Sequence, residues 1–545
     1  MAHRFRDPLM TEYVRDLREQ FRQGRISRRD FVRWGAMLGV SLPLLRGWAG
    51  GTGGVSAAPR MMQGETPQTG GTLRCTSFEL TQIDPPVLTD VAGAAAVHLV
   101  CEQLMRVGSD LVLRPHLAES WEASADVKTW TFKLRQGVTF NNGAPFNVDD
   151  VIWTFNTLLA EETASSARST LTYLTPENIE RVDDFTVRFH LSRAVADFPY
   201  DITNYMIVML PKEWPGDFAK NPIGTGAFLL DEFVMGDHAT YTRNPTYWNQ
   251  PLPYLDGLRL TFVKGGQAEA NALLGGQSDV SLFLGDSAMI KTLRDTQGIT
   301  VLEAKSSSYA PIHMRSDQPP FNDNRVREAF KYMVNRQELV DFVLSGDGDV
   351  GNDHMVAPVY PEFTDNGLRQ QDYDKAKALL AEAGHADGFE MDFYGSDDGA
   401  GGPDPLMVAF QQMAAPAGIK INIRPEPVTK YYEHWTEVTL GTVGWVGRPT
   451  VNAMLNLAFR CGVPWNESHW CEPEFDKMLD ELDATVDMGR RIALCRTIED
   501  FMTTKGPEII WGFNRVFRPV RDNVRGVEAS PISHAHLDGA WLAPA

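Results

Sequence analysis

Residues 113–159 read LRPHLAESWEASADVKTWTFKLRQGVTFNNGAPFNVDDVIWTFNTLL. Trp130, Phe132 and Leu134 alternate with Thr131, Lys133 and Arg135, the period of a strand with one buried face. Gly137 breaks the run, and Val138 and Phe140 resume the alternation. Asn141-Asn142-Gly143 supplies residues that tolerate positive φ, which predicts a tight turn or hairpin. Asn147 can cap a following helix with Asp150 at its third position. Val148, Val151, Ile152, Phe155 and Leu159 then recur at helical spacing on one face. Strand, turn and capped helix describe a scaffold and carry no chemistry of their own.

The order of these pieces says more. Pro115-x-LAESWE, then TWTFKLRQGVTFNNGAPF over 129–146, then Asp149-Asp150-Val151 resembles the signature of the extracellular solute-binding proteins of ABC transporters. The class resembled carries oligopeptides, dipeptides, opines, nickel chelates and related solutes. Other segments agree in order as well as content. Upstream come a short strand at Thr72-Leu73-Arg74-Cys75, a turn at Gln82-Ile83-Asp84-Pro85 and a segment from Val97 to Leu104 that reads as helical. Downstream, 175–191 alternates as a strand pair with Asp183-Asp184 at its turn. Pro222-Ile223-Gly224-Thr225-Gly226-Ala227-Phe228 and Arg243-Asn244-Pro245-Thr246-Tyr247-Trp248 follow, then Pro253-Tyr254-Leu255-Asp256. No GK[ST] follows the Gly-Thr-Gly, so a phosphate-cradling loop is not indicated. PPFNDNRVREAFKYMVNRQELV from Pro319 gives a helix with Val326, Phe330, Met333 and Val334 on its buried stripe and Arg325, Arg327 and Arg336 off it. A last helix from Asp372 closes at Gly384.

What the resemblance implies is an α/β, two-lobed periplasmic-binding-protein fold of the large class, with a ligand cleft between the lobes. Lobe I would combine 71–305 with the return segment 508–545 and include an extra subdomain at 116–219. Lobe II would be 306–507. The implied function is the periplasmic substrate-binding component of an ABC importer, a monomer with no catalytic role and no cofactor. Its expected partners are a small-molecule solute and an ABC permease of the inner membrane.

At 545 residues the chain is too long for a single core, and a hydrophobic fraction of 43% with mean hydropathy −0.26 marks it as globular. Residues 1–57 differ from the rest, with ten Arg, no Lys and five acidic residues against 41 basic and 66 acidic residues afterwards. Ser27-Arg28-Arg29-Asp30-Phe31-Val32 precedes a modest apolar run from Trp34 to Leu45, and Val55-Ser56-Ala57 offers a small-residue cleavage site. This is the layout of a twin-arginine export signal, with 58–70 as linker. The run contains Gly35, Gly39 and Pro43 and is too short to span a bilayer as a mature helix. A net charge of −25 beyond residue 57 argues against nucleic acid and anionic membrane as partners.

Enzymatic signals are missing. The chain has no HExxH, G-x-S-x-G or nucleotide fingerprint, which disfavours the rival reading of an exported hydrolase. A binding protein acting in sensing rather than transport is the other alternative. Asp347-Gly348-Asp349 with Asp353 lacks the bidentate glutamate of a calcium loop, since Pro358 holds the twelfth position. His534 and His536 alternate as on a C-terminal surface strand, with no further ligand beside them. Five cysteines remain in the exported part. Cys461 and Cys471 bracket a short loop that an oxidising compartment could close.

The ligand-facing residues are expected around Gly444-Trp445-Val446-Gly447-Arg448-Pro449. In the peptide-binding branch of the resembled family, a Trp followed three residues later by Asp places a carboxylate to receive a peptide's ammonium terminus. Here Arg448 stands three residues after Trp445, and a guanidinium suits carboxylate or phosphate instead. The implied ligand is anionic or hydroxyl-rich: an opine, an acidic sugar conjugate or a modified peptide. Trp445 would form an apolar or stacking wall, with Tyr431, Tyr432 and Trp435 as further candidates. Pairing of Arg448 with Glu437, or simple exposure, is the structural alternative.

Overall fold

Trp130, Phe132 and Leu134 are 0–2% exposed on the strand Thr129–Leu134, while Lys133 faces solvent, as the alternation requires. In this computed structural model, residues 8–40, 42–49, 65–80, 82–397 and 404–544 are described. Ala118–Ala123 and Thr186–His190 pair antiparallel with that strand on either side, and Ile179–Asp183 completes a four-stranded sheet. The helix Val148–Leu159 carries the full capping box: Asn147 and Asp150 each accept a backbone N–H of the other's segment. Its Phe155 packs on Phe189 at 5.0 Å, and Phe132 meets the same ring at 5.6 Å. Each such fully buried ring contributes about 2–3 kcal/mol. The Asn-Asn-Gly turn forms with Gly143 at φ +86°, but only one bridge, Thr139 to Pro145, follows it. Pro145 has no N–H to extend a ladder.

The chain divides into two compact units, 1–304 with 517–545, and 305–516. In the first unit, Thr72–Phe78 lies parallel to Gly257–Val263 and to Val280–Ser281, and His238–Arg243 and Phe228–Val234 extend the sheet. The strand Gly512–Arg521 runs across the division. Its Val520 pairs with Val280 in the first unit, and its 512–514 pair with Gly348–Val350 in the second. The second unit has its own sheet in the order Ile419–Glu426, Phe389–Ser396, Leu440–Gly441, Ile312–Met314, Glu508–Ile509. Phe330, Met333, Phe393, Met407 and Phe410, each fully buried, form the centre of its core.

Three expectations need correction. The helix before LAESWE is Val91–Val97, capped by Asp90, and 98–104 is not helical. The Gly-Thr-Gly segment claims that backbone: Gly226 donates to Val100 O and Phe228 to Leu99 O. Gly224 and Gly226 serve this close approach, because a Cβ at either would fall 2.0 Å or 2.6 Å from the facing carbonyl oxygens. His534 and His536 lie in a loop rather than on a strand, and His534 is 5% exposed with its ring 5.9 Å from His98 and 5.5 Å from His536. Arg518, itself 1% exposed, draws that loop inward by donating to Glu528 O and His534 O.

The arginines off the Asn324–Tyr332 helix stripe also differ from one another. Arg325 is at the surface on Asp323, but Arg327 is buried and donates to Phe321 O and Lys505 O. Arg336 is fully buried on Asp353, with both side chains at 0% exposure. Asp353 therefore belongs to a structural pair, and Arg369 adds a second cation at 3.3 Å. The C-terminal glycine of Tyr373–Glu382 closes its helix as expected, Gly384 standing at φ +89°.

Candidate functional site

The segment after the strand Leu440–Gly441 is held by backbone and hydroxyl contacts on both sides. Trp445 and Tyr309 exchange backbone bonds, Tyr309 N to Trp445 O at 3.2 Å and Trp445 N to Tyr309 O at 2.8 Å. Ser308 Oγ accepts from Gly447 N at 2.8 Å, Ser307 Oγ accepts from Arg448 N at 3.1 Å, and Tyr360 OH donates to Arg448 O at 2.7 Å. A loop tied at three consecutive points presents its side chains with little freedom.

Those side chains build a run of rings. The Trp445 indole stacks on Tyr309 at 6.4 Å and meets Trp435 and Trp465 at 5.8 Å each. Tyr432, 51% exposed, continues the run to Trp435 at 6.4 Å. The structure thus brings Trp445, Trp435 and Tyr432 together as one wall. Tyr431 is not part of it: at 1% exposure its hydroxyl lies over Gly441, where an added Cβ would be 2.7 Å away. Arg448 is 6% exposed and its Nη1 donates to Val446 O at 2.9 Å. Glu437 is taken by Arg315, whose Nη1 donates to Glu437 Oε2 at 2.9 Å.

Behind the wall lies a group of buried polar side chains that the sequence did not announce. The Trp445 Nε1 donates to Glu467 Oε1 at 3.3 Å, and His313 Nδ1 stands 3.5 Å from the same oxygen. His313 pairs across the sheet with Glu508 on one side and Gly441 on the other, so the three share a face. Glu467, Glu508 and His313 are 0–1% exposed, and both Glu508 oxygens lack a hydrogen-bond partner. Burial pushes the Glu508 carboxyl up to about 8, with Lys331 opposing. Burial raises Glu467 well above the carboxylate range, and the neighbouring Glu508 adds to the effect. Burial takes His313 down to about 3, and Arg315 works in the same direction. Tyr309, Trp465 and Glu467 escaped sequence reasoning. The available signal was a Trp and a Glu inside the Cys461–Cys471 loop, and that loop is closed by a disulfide.

Among the described residues no group of three or more His, Cys, Asp or Glu is placed to hold a metal ion. None of the described helices is long and apolar enough to cross a membrane. The arrangement offers rings, a sequestered cation and buried acids.

Two units, one discontinuous in sequence, and a tied aromatic loop in the other define the architecture of a two-lobed periplasmic binding protein. The chain belongs to the bacterial extracellular solute-binding proteins, family 5, whose middle-region description it matches over residues 112–464. It is 28% identical over 477 residues to the dipeptide-binding protein of Escherichia coli K12, covering 80% of this chain and 87% of that one. It is 30% identical over 467 residues to di/tripeptide-binding protein 2 of Pseudomonas aeruginosa UCBPP-PA14, covering 78% and 86%. Among solved structures it resembles AgaA of A. tumefaciens R10 in complex with agropinic acid, with a TM-score of 0.78 at 22% identity over 87% of this chain and 99% of that one. The chain is accordingly the periplasmic substrate-binding component of an ABC importer. Its relatives are binding proteins of transporters rather than enzymes.

Proposed function

We propose that the protein captures an anionic or hydroxyl-rich solute, of the opine, acidic sugar conjugate or modified-peptide kind, and delivers it as a monomer to an inner-membrane permease. The observation carrying this reading is the residue three places after Trp445. A cation, Arg448, stands on a loop tied beside the Tyr432, Trp435 and Trp445 rings. A free peptide N-terminus would meet like charge there, whereas a carboxylate would find a donor fork. The apolar part of the solute lies against the rings. The bound solute supplies the contacts that favour the conformation in which it is held. Agropinic acid, bound by one structural relative, is a solute of the proposed kind.

Thermal shift tests this directly, since a ligand bound by the folded state alone stabilises it by about 2.7 kcal/mol at a hundredfold excess over Kd. Opines and acidic conjugates are expected to raise Tm, and unmodified dipeptides are not. Arg448→Ala is expected to weaken the responding ligand at least about thirtyfold, the loss for removing one partner of a desolvated charge pair being roughly 2–5 kcal/mol. Tight binding of ordinary dipeptides, or unchanged affinity in Arg448→Ala, overturns the proposed ligand class.

A further inference from the structure

The N-terminal segment read as an export leader does not stand apart from the body: its central helix is built into the first unit. The helix Arg28–Met37 is capped by Ser27, which accepts from Asp30 N, and it stacks Phe31 on Phe21 of the preceding helix at 4.8 Å. Phe31, Trp34, Met37 and Leu38 recur at helical spacing and are 0–3% exposed. The contacts that bury this helix include residues far along the chain. Trp121, the tryptophan of LAESWE, donates its Nε1 to Met37 O at 2.9 Å. The second arginine of the pair, Arg29, donates Nε to Asp110 O at 3.3 Å, and Arg33 lies over the Tyr200 ring at 5.8 Å. Tyr200 is itself fixed by its hydroxyl on Leu111 O. Gly39 seals the end of the docked segment. It stands at φ +81°, and a Cβ there would fall 2.2 Å from Trp121 O.

We infer that this helix is a latch, docked on a seat formed by Trp121, the 110–111 turn and Tyr200, that holds Arg29 of the arginine pair against the folded body. This rests on reading 1–57 as the export leader. Three features favour function over accident. The seat is assembled from segments some ninety residues apart in sequence, so it exists only once the unit has folded. The contact uses backbone groups on both sides, which demands one register. Glycine sits at position 39, where a Cβ would collide with the seat and where the backbone is left-handed. Consequently Arg29 must leave the Asp110 carbonyl before an export receptor can take its guanidinium in full. Exposure of the signal is then coupled to the state of the body through a contact of modest size. Loss of the leader uncovers the Trp121 indole N–H and the Tyr200 ring.

The test is amide hydrogen exchange on the full-length chain and on its Gly39→Val variant, followed by peptide mass. The parent is expected to protect 31–38, and Gly39→Val to exchange there at least tenfold faster while 389–426 in the second unit is unchanged. Trp121→Phe, which keeps an aromatic ring but deletes the Nε1 donor, is expected to loosen 31–38 in the same direction. A parent that exchanges over 31–38 as fast as a free peptide, or a Gly39→Val variant as protected as the parent, overturns the latch. Export of Arg28→Lys/Arg29→Lys separates the two readings. Retention in the cytoplasm supports the export assignment, and normal delivery removes it and with it the role given to the latch, whatever the exchange data say about docking.

Discussion

Glu102→Ala is expected to lower the stability of the first unit by about 3–5 kcal/mol, the cost of leaving several buried donors without their acceptor and a half-buried cation with one carboxylate fewer. The Glu102 side chain is 0% exposed. Its carboxylate accepts from His116 Nε2 at 2.6 Å, Tyr247 OH at 2.7 Å, Trp248 Nε1 at 2.7 Å and Thr225 Oγ1 at 2.9 Å. Arg106 lies 3.4 Å away and reaches Asp538 at 2.8 Å with its other arm. Burial works against ionisation of Glu102, but His116 and Arg106, with the Trp248 donor, outweigh it and draw the carboxyl down to about 2. A depressed carboxyl contributes stability that is fully present above the unfolded value near 4.5 and is lost as pH falls through about 2. Urea denaturation at pH 7 checks the expectation, with Glu102→Gln costing less because it keeps one acceptor oxygen. A midpoint for Glu102→Ala within error of the parent would refute the role of this carboxylate as a hub.

Glu508→Gln should act in the opposite sense, raising stability at alkaline pH. The parent folds with this carboxyl neutral, because burial has lifted it to about 8 while the unfolded chain ionises near 4.5. A raised carboxyl contributes stability that is present below 4.5 and is progressively lost as pH rises through 8. The loss runs at about 1.4 kcal/mol per pH unit for one proton. Glutamine keeps the shape and removes the proton. The variant should therefore match the parent near pH 4.5 and exceed it increasingly toward pH 8, read as guanidinium midpoints at several pH values. His313, lowered by burial, titrates the other way below 6.5, and comparison with the parent at each pH cancels it. Equal midpoints at pH 8 would show that Glu508 is ionised in the folded protein.

These two carboxylates mark where the sequence stopped being informative. Short-range signals were dependable: the alternation at 130–134, the Asn147–Asp150 box and the glycine after Tyr373–Glu382 each involve neighbours within a few residues. Family blocks could be recognised but not explained. Thr225 of Gly-Thr-Gly, Tyr247 and Trp248 of the RNP block and His116 beside LAESWE all converge on one acceptor, Glu102. That residue was read as part of a helix, because its partners lie as far as Trp248 in the chain and no local period points to them. Arg327, Arg336 and His534 failed similarly, and Glu508 drew no reading at all. A charged or imidazole side chain reads as surface unless its distant partner or its desolvation is visible. Of the four aromatic residues expected near the ligand, Trp445, Trp435 and Tyr432 lie in ring contact, whereas Tyr431, offset by one residue from Tyr432 on a short helix, is turned inward, an orientation that no sequence spacing shows.

The strand Gly512–Arg521 stands between Ile299–Lys305 and Val280–Ser281 in the sheet order, and 517–545 belong to the unit that begins the chain. During synthesis the earlier strands therefore wait, with a place in the sheet unfilled, until Gly512–Arg521 has been made. The second unit, continuous from 305 to 516, can complete its core while the first is still open. Arg106 likewise has no Asp538 to meet until that late segment has left the ribosome. A ribosome that stalls within the final stretch leaves a finished second unit joined to an unclosed first, a species whose exposed sheet edge invites proteolysis and aggregation. The first unit can therefore close only after its return segment 517–545 has been made, however early the second has folded.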